Sequence, residues 1–366
     1  MSPVKRKIDR FFLISVIILT AFGFVIFLSA SLGLLAQNGS NFSTVAGKQT
    51  LSLVLGIIAF YIFSRLDYKW LHKSALFILF GAIGVNLLLF IPSITVHFNG
   101  ASRWIDMGIF TFQPSELLKI AFIIYIAAWV HFVKDRITSF KLGMLPYIVI
   151  AIILSVLLLA QKDTDTLIII LLTGLVMLFI GGLPLRYIII TICLLGTIIS
   201  GVIVFQPYAR QRFNTFLNRN SDTQGASYQI NQSLIAIGSG QILGRGFGQS
   251  IQKFGYLPQP TDDSIFAVAA EEFGFVGSIA LLIMYVLFGV SVFRIGTRSQ
   301  DVFGGLLVMG IAILIIMESF MNMAAMLGII PLSGLPILFV SHGGTALIIT
   351  LITAGIVANV SKHARK

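Results

Sequence analysis

Two adjacent carboxylates, Asp262 and Asp263, stand at the mouth of a long apolar segment, and Glu271 and Glu272 follow inside it. The whole chain has 14 acidic residues in 366, so acid is concentrated here. Acid at a membrane surface is uncommon, and one carboxylate there can serve as a base that accepts a hydroxyl proton. Basic residues precede the cluster: Arg210, Arg212, Arg245 and Lys253. Guanidinium groups pair bidentately with phosphate oxygens, which suits an anionic lipid headgroup. Loop salt bridges or ordinary contact with the outer leaflet account for the same residue types equally well. Glu271 lies about 12 Å along a helix axis from Asp263, at 1.5 Å per residue, so the glutamates read as packing or tuning groups rather than as a second reactive carboxylate.

A second polar concentration is Gln113-Pro114-Ser115-Glu116-Leu117-Leu118-Lys119. Proline suits a first helical turn, and a carboxylate there is favoured by the helix dipole. Glu116 and Lys119, at i and i+3, share a face and can neutralise each other inside a bilayer. The pair is either a structural ion pair or part of the same cavity as Asp263, where it tunes the charge. Arg103-Trp104, Asp163 to Thr166 and Ser341-His342-Gly343-Gly344 are further polar interruptions. Trp104 fits an interfacial belt aromatic, and Asp163 and Asp165 fit helix N-caps. Glu318 is costly in an apolar segment unless paired or facing a polar cavity. Several of these interruptions fall at the outer ends of segments, and that sidedness points to one shared site.

The elements that must hold these groups are membrane helices. Hydrophobic residues make up 57% and charged residues 11%, with a mean hydropathy of +0.97, which excludes a soluble domain with a hydrated surface. A spanning helix needs about 20 apolar residues. Candidate segments lie near 11–35, 49–64, 74–93, 115–133, 145–160, 164–182, 186–206, 264–293, 303–328 and 335–360. The expected fold is an all-α integral membrane protein of about ten transmembrane helices. It forms a single polytopic membrane domain over 1–366, with one large extracytoplasmic loop at 206–262 that carries short interfacial helices. Within that loop Ile230, Leu234 and Ile237 recur at i, i+4 and i+7, the pattern of a short amphipathic helix lying in the interface.

The basic tail before the first segment is not followed by a small-residue cleavage site, so that segment reads as a retained helix. Alternate threading puts the larger share of the 25 basic residues on the side of the N-terminus, which places both termini in the cytoplasm. Basic loops facing anionic lipid then account for the net charge of +11, and nucleic acid is not an expected partner. Cys193 is the single cysteine, the five histidines show no ligand spacing, and no metal site is legible. The glycines from Gly238 to Gly248 lack the Lys-Ser/Thr ending of a phosphate-binding loop, so nucleotide binding is not expected.

With these residues in place, the chain resembles the SEDS proteins (shape, elongation, division and sporulation), the polytopic peptidoglycan polymerases. The resemblance runs through Ser29-Ala30-Ser31, NGASRW at Asn99 to Trp104, FQPSELLK at Phe112 to Lys119, YQINQSLIAIGSG at Tyr228 to Gly240 and GRGFGQSIQKFGYLP at Gly244 to Pro258. It continues through DSIFAVAAEEFGFVG at Asp263 to Gly277 and GIIPLSGLPILFVSHGG at Gly328 to Gly344. The resemblance implies an inverting glycosyltransferase that polymerises lipid II, a disaccharide-pentapeptide on undecaprenyl pyrophosphate, at the outer face of the cytoplasmic membrane during division or elongation. Its essential aspartate falls on Asp263, read as the base for the acceptor hydroxyl. Glu116, Lys119, Arg210, Arg212, Arg245 and Lys253 are the candidate substrate-binding residues. A divalent cation, Mg2+ or Mn2+, is an optional helper at the pyrophosphate, and a class B penicillin-binding protein is the implied partner.

The chain departs from the family pattern at three places. The usual Gln-Pro-Asp-Leu-Gly-Thr appears as Gln161-Lys162-Asp163-Thr164-Asp165-Thr166, the usual serine-tyrosine before the closing glycines is Ser341-His342, and the usual acid after Leu-Pro is Gln259. Two other functions fit parts of the sequence. A lipid II flippase or proton-coupled transporter would use Glu116, Lys119, Glu271, Glu272 and Glu318 as a path through the membrane, but no inverted repeat of broken helices is visible. A scaffold for a partner synthase explains the apolar helices but not the outward polar cavity.

Overall fold

Uninterrupted apolar runs fold as helices because each backbone N–H and C=O then finds its partner within the segment, the requirement in hydrocarbon. The computed structural model describes residues 7–36, 41–98, 101–108, 111–205, 207–217 and 225–364. Lys5, Arg6, Asn99, Arg219, Arg365 and Lys366, which entered the charge count and motifs above, lie outside the described residues. The helices in chain order are α1 (Arg10–Ser31), α2 (Asn41–Arg65), α3 (Lys69–Leu87), α4 (Pro114–Val133), α5 (Leu145–Ala160) and α6 (Thr164–Ile180). They continue with α7 (Leu185–Phe205), α8 (Pro207–Leu217), α9 (Ala226–Ser239), α10 (Ile265–Thr297), α11 (Val302–Met326) and α12 (Gly344–His363). Among the described residues 8 of these are long and apolar enough to cross a membrane, while α6 is a shorter apolar helix. The protein is a multi-pass membrane protein.

The interior of the bundle is α12, α11 and α4, whose apolar stretches are 83%, 72% and 67% buried, against 17% for α2. α2 packs along α12, α3 along α4 and α1 along α10, while α11 touches α4, α6 and α10. Outward faces keep large apolar side chains exposed, Phe77 and Val156 among them, as lipid contact requires.

Three local features depart from the sequence expectations. A small antiparallel sheet, β1 (Thr95–Phe98), β2 (Ala101–Asp106) and β3 (Thr111–Phe112), fills the gap before α4 in the order β1-β2-β3. Residues 335–343, assigned above to the last segment, are not helical; Phe339 takes φ 72° there and is still only 4% exposed. Finally, α9 turns the apolar face that the sequence assigned to an interface onto the protein itself. Ile230 is buried, Leu234 and Ile237 pack against the core, and the helix rests on α10 and α11.

One break matters for the site. Gly274 inside α10 has φ 65° and ψ −164°, a region open essentially to glycine alone. The interrupted helix bonds are replaced from the preceding loop. Arg245 N donates to Glu271 O at 3.0 Å and Gly246 N to Glu272 O at 2.9 Å, while Phe275 N and Val276 N donate to Gln241 O and Ile242 O. A Cβ on Gly274 would stand 2.3 Å from Gly244 N, and one on Gly244 2.2 Å from Glu272 O. The loop backbone is thus seated in the kink, with its polar groups paired.

Candidate active site

The four acids of the opening cluster divide sharply. Glu272 Oε1 accepts from Lys253 Nζ at 2.7 Å and from the Ser29 hydroxyl at 2.6 Å. Glu271 accepts from the Ser250 hydroxyl at 2.6 Å and from Ile251 N and Gln252 N, and it pairs with Arg245 at 3.4 Å. Both glutamates are 1% exposed and Lys253 is fully buried. Here a buried charge is held by an opposite charge and hydrogen bonds, as a low dielectric demands. The result is a clamp that fastens the loop onto α10.

Asp262 and Asp263 instead line a cavity of about 460 Å³. Its walls come from β2 (Arg103, Trp104), the start of α4 (Gln113, Glu116), the start of α6 (Lys162, Asp163, Thr166), Arg212 of α8, Gln259, and the stretch from Gly334 through Ala346. Each wall is fixed by hydrogen bonds. Asn322 of α11 donates to Asp263 O at 2.8 Å and to Leu335 O at 2.6 Å, tying the two loops together. Gln229 of α9 donates to the Ser264 hydroxyl at 3.0 Å. Thr345 at the start of α12 donates to Thr111 O at 2.9 Å and accepts from Gln113 N.

The charges in the cavity are ordered around Asp263. Arg212 Nη1 pairs with Asp165 Oδ2 at 2.7 Å, and Gly334 N donates to the same oxygen at 3.3 Å. Arg103 Nη1 lies 3.8 Å from Asp163 Oδ1, and its other terminal nitrogen donates to Lys162 O. A methyl placed on Gly334 would lie 3.7 Å from Asp263 Oδ2, 3.8 Å from Arg212 Nη2 and 3.9 Å from Arg103 Nη1, so one carboxylate and two guanidinium groups converge on a single point. Among the described residues no hydrogen bond or salt bridge is made by the Asp263 carboxylate. Its pKa is pushed up to about 7, first by burial and then by the neighbouring Asp262 charge, against the opposing pull of Arg212.

Glu116 lines the cavity and also belongs to a second buried network. Lys119 Nζ lies 2.9 Å from Glu116 and 2.7 Å from Glu318, all three deeply buried in the bundle. Glu318 is therefore paired, and the i, i+3 pair of the sequence gains a third member from α11.

A model of the cell cycle protein family FtsW/RodA/SpoVE matches residues 9–366. The chain belongs to that family. A protein of Trichlorobacter lovleyi named "Probable peptidoglycan glycosyltransferase FtsW" is 36% identical over 96% of this chain and 93% of its own length. Stage V sporulation protein E of Bacillus subtilis is 32% identical over 100% of both chains. Among solved structures, a chain from a study of the coordination of polymerization and crosslinking by a peptidoglycan synthase complex aligns with a TM-score of 0.80, 24% identity and 97% coverage of each chain. Rod shape determining protein RodA of Thermus thermophilus aligns at a TM-score of 0.68 with 22% identity, over 98% of each chain. These two establish the shared fold.

Within this SEDS frame the expected binding residues part company. Arg212 and Glu116 line the cavity, and Lys119 sits behind Glu116. Arg210 is exposed on α8 and is not part of the lining. Lys253 and Arg245 lie outside the lining: Lys253 is turned to Glu272 and has no surface left for a substrate, which corrects that expectation, while Arg245 pairs with Glu271 and stays partly exposed. Trp104 belongs to the cavity lining rather than to a belt alone. Asp163 occupies the N-cap position of α6, but its side chain makes no cap bond and faces Arg103. Arg103, Lys162 and His342 were absent from the expected binding set. Their signal was the shared outer sidedness of the polar interruptions.

Proposed function

We propose that this chain is a peptidoglycan glycosyltransferase that polymerises lipid II at the outer face of the cytoplasmic membrane, with both termini in the cytoplasm. The observation that carries the reading is the recessed Asp263 carboxylate, without a salt bridge of its own, facing two guanidinium groups across Gly334. The names of the relatives support it, and the basic residues near the termini support the orientation.

Sugar transfer with inversion needs a single displacement. The acceptor's 4-hydroxyl oxygen attacks the donor's anomeric carbon while its proton passes to the Asp263 carboxylate. The new glycosidic C–O bond forms as the bond from that carbon to pyrophosphate breaks, and undecaprenyl pyrophosphate departs as the anion. A base whose pKa lies near the operating pH is best matched to this proton transfer. Arg212 and Arg103, held in advance by Asp165 and Asp163, meet the negative charge that develops on the leaving group without having to reorganise.

A divalent ion finds no ready-made cage. Among the described residues no group of three or more His, Cys, Asp or Glu side chains converges on one point, and Asp163 and Asp165 are turned to arginines. No step of the scheme is routed through an ion. The buried acids that a translocation path would use close instead into two ion-paired networks, which favours the transferase over the flippase. Crosslinking by a class B penicillin-binding protein completes the proposed assembly, in line with the synthase complex that supplies one structural neighbour.

Purified protein in liposomes with lipid II tests the reading. Glycan polymer is expected, with Asp263→Asn lowering the rate about 100-fold or more. Movement of lipid II across the bilayer without polymer would overturn it.

A further inference from the structure

His342 and Asp262 take no part in the chemistry above, yet they adjoin Asp263 and line the same cavity. The imidazole Nδ1 lies 3.0 Å from Asp262 Oδ1, with side-chain exposures of 28% and 38%. The contact is held from three directions. The ring stacks on Phe27 of α1 at 5.7 Å, the His342 backbone N donates to Thr261 O at 2.8 Å, and the Ser341 hydroxyl donates to Asp262 O at 3.0 Å.

Asp262 opposes ionisation of Asp263, because like charges side by side favour the protonated form. A neutral imidazole on Asp262 leaves that negative charge in place, whereas an imidazolium cancels it. The other charged groups around the cavity are Arg103, Lys162, Arg212, Asp163, Asp165 and Glu116. Arginine keeps its charge throughout the working range, and Asp163, Asp165 and Glu116 face cationic partners. Histidine is the side chain built to change charge between about pH 5 and 8.

We propose that His342 acts through Asp262 as a positioning residue: its protonated ring neutralises Asp262 and so keeps the adjacent Asp263 carboxylate ionised and able to take the acceptor's proton as the surroundings acidify. The inference rests on the glycosyltransferase reading of Asp263.

The test compares wild type, His342→Gln, Asp262→Asn and the double variant as full-length protein in lipid II liposomes, between about pH 5 and 8.5. In His342→Gln the acid limb of kcat/KM moves up by about half a pH unit, since Asp262 is then never neutralised. In Asp262→Asn it moves down by about one unit, and the double variant coincides with Asp262→Asn. An unmoved limb in His342→Gln, or a full-sized His342 effect when Asp262 is absent, overturns the proposal.

Infrared titration of the carboxylic-acid band that Asp263→Asn removes reads the same coupling without turnover. If wild type makes no polymer the transferase reading fails, while the position of that band in His342→Gln still decides the charge coupling. Should the glutamine variant not fold, His342→Tyr is neutral over the same range and carries the same expectation.

Discussion

The mouth of α10 and the clamp about two turns farther in are both built from carboxylates and put them to opposite uses. Glu271 and Glu272 have every reason to be inert: each is buried against a cation and several donors. Among the described residues Asp263 has none of these partners, and it faces a cavity that two arginines share. Pairing removes a buried charge from chemistry, and a charge left unpaired at the edge of a cavity has its proton affinity raised into the useful range. All four are carboxylates, and what separates the regions is the presence of a counter-ion.

The comparison is easiest to break by exchanging single acids. Asp263→Asn should cost about 100-fold or more in polymerisation and leave the protein folded. Glu272→Gln should do the reverse. It strands Lys253 without its counter-ion in the interior, at a cost of about 3–5 kcal/mol, seen as loss of folded protein in thermal unfolding. Replacing both members, as Glu272→Leu with Lys253→Met, should recover much of that loss, because a buried pair exchanged for apolar groups is often neutral.

Arginines offer the next contrast. Arg212→Gln removes a charged donor from the cavity and should lower kcat/KM about tenfold or more. Arg210→Gln, two residues away on the exposed side of α8, should change it less than about twofold. Equal losses in the two variants would mean that the general positive charge of the loop matters and the cavity does not.

Stability against pH separates the regions as well. The folded protein keeps a proton on Asp263 up to about pH 7, whereas an ordinary aspartate releases it near 3.8. Between those values the unfolded chain binds fewer protons than the native one, so this residue's contribution to stability falls as pH rises through the window and is lowest above pH 7. Asp263→Asn should therefore raise the unfolding temperature above pH 7 and make no difference below about pH 4. A modest effect is expected at Gly334→Ala. Its methyl meets Asp263, Arg212 and Arg103 at ordinary contact distance, so substrate affinity should drop a few-fold with unfolding unchanged.

Much of this was legible in the sequence. Hydropathy located the helices, and Pro114 marked the start of α4 because it stands where a missing N–H costs nothing. The sidedness of Arg103, Asp163, Asp263 and His342 anticipated the cavity they line. Lys253, a lysine in a loop, resembles a headgroup ligand until the fold brings it to Glu272 and Ser29, contacts that depend on how the loop is seated. The kink had a faint signal in Gly244 and Gly274, but only their mutual approach shows why neither tolerates a side chain. The sheet before α4 escaped because its strands are too short for alternation to stand out.

The proposed base is Asp263, a carboxylate without an ion pair among the described residues and destabilised as an anion. Its most direct test is kcat/KM for lipid II polymerisation by the purified protein across the range from about pH 5 to 9. A rising limb with its midpoint near the Asp263 value of about 7 is expected, with near-complete loss of activity in Asp263→Asn at every pH. A rate that stays flat through pH 7, or an asparagine variant that polymerises at the wild-type rate, would contradict it.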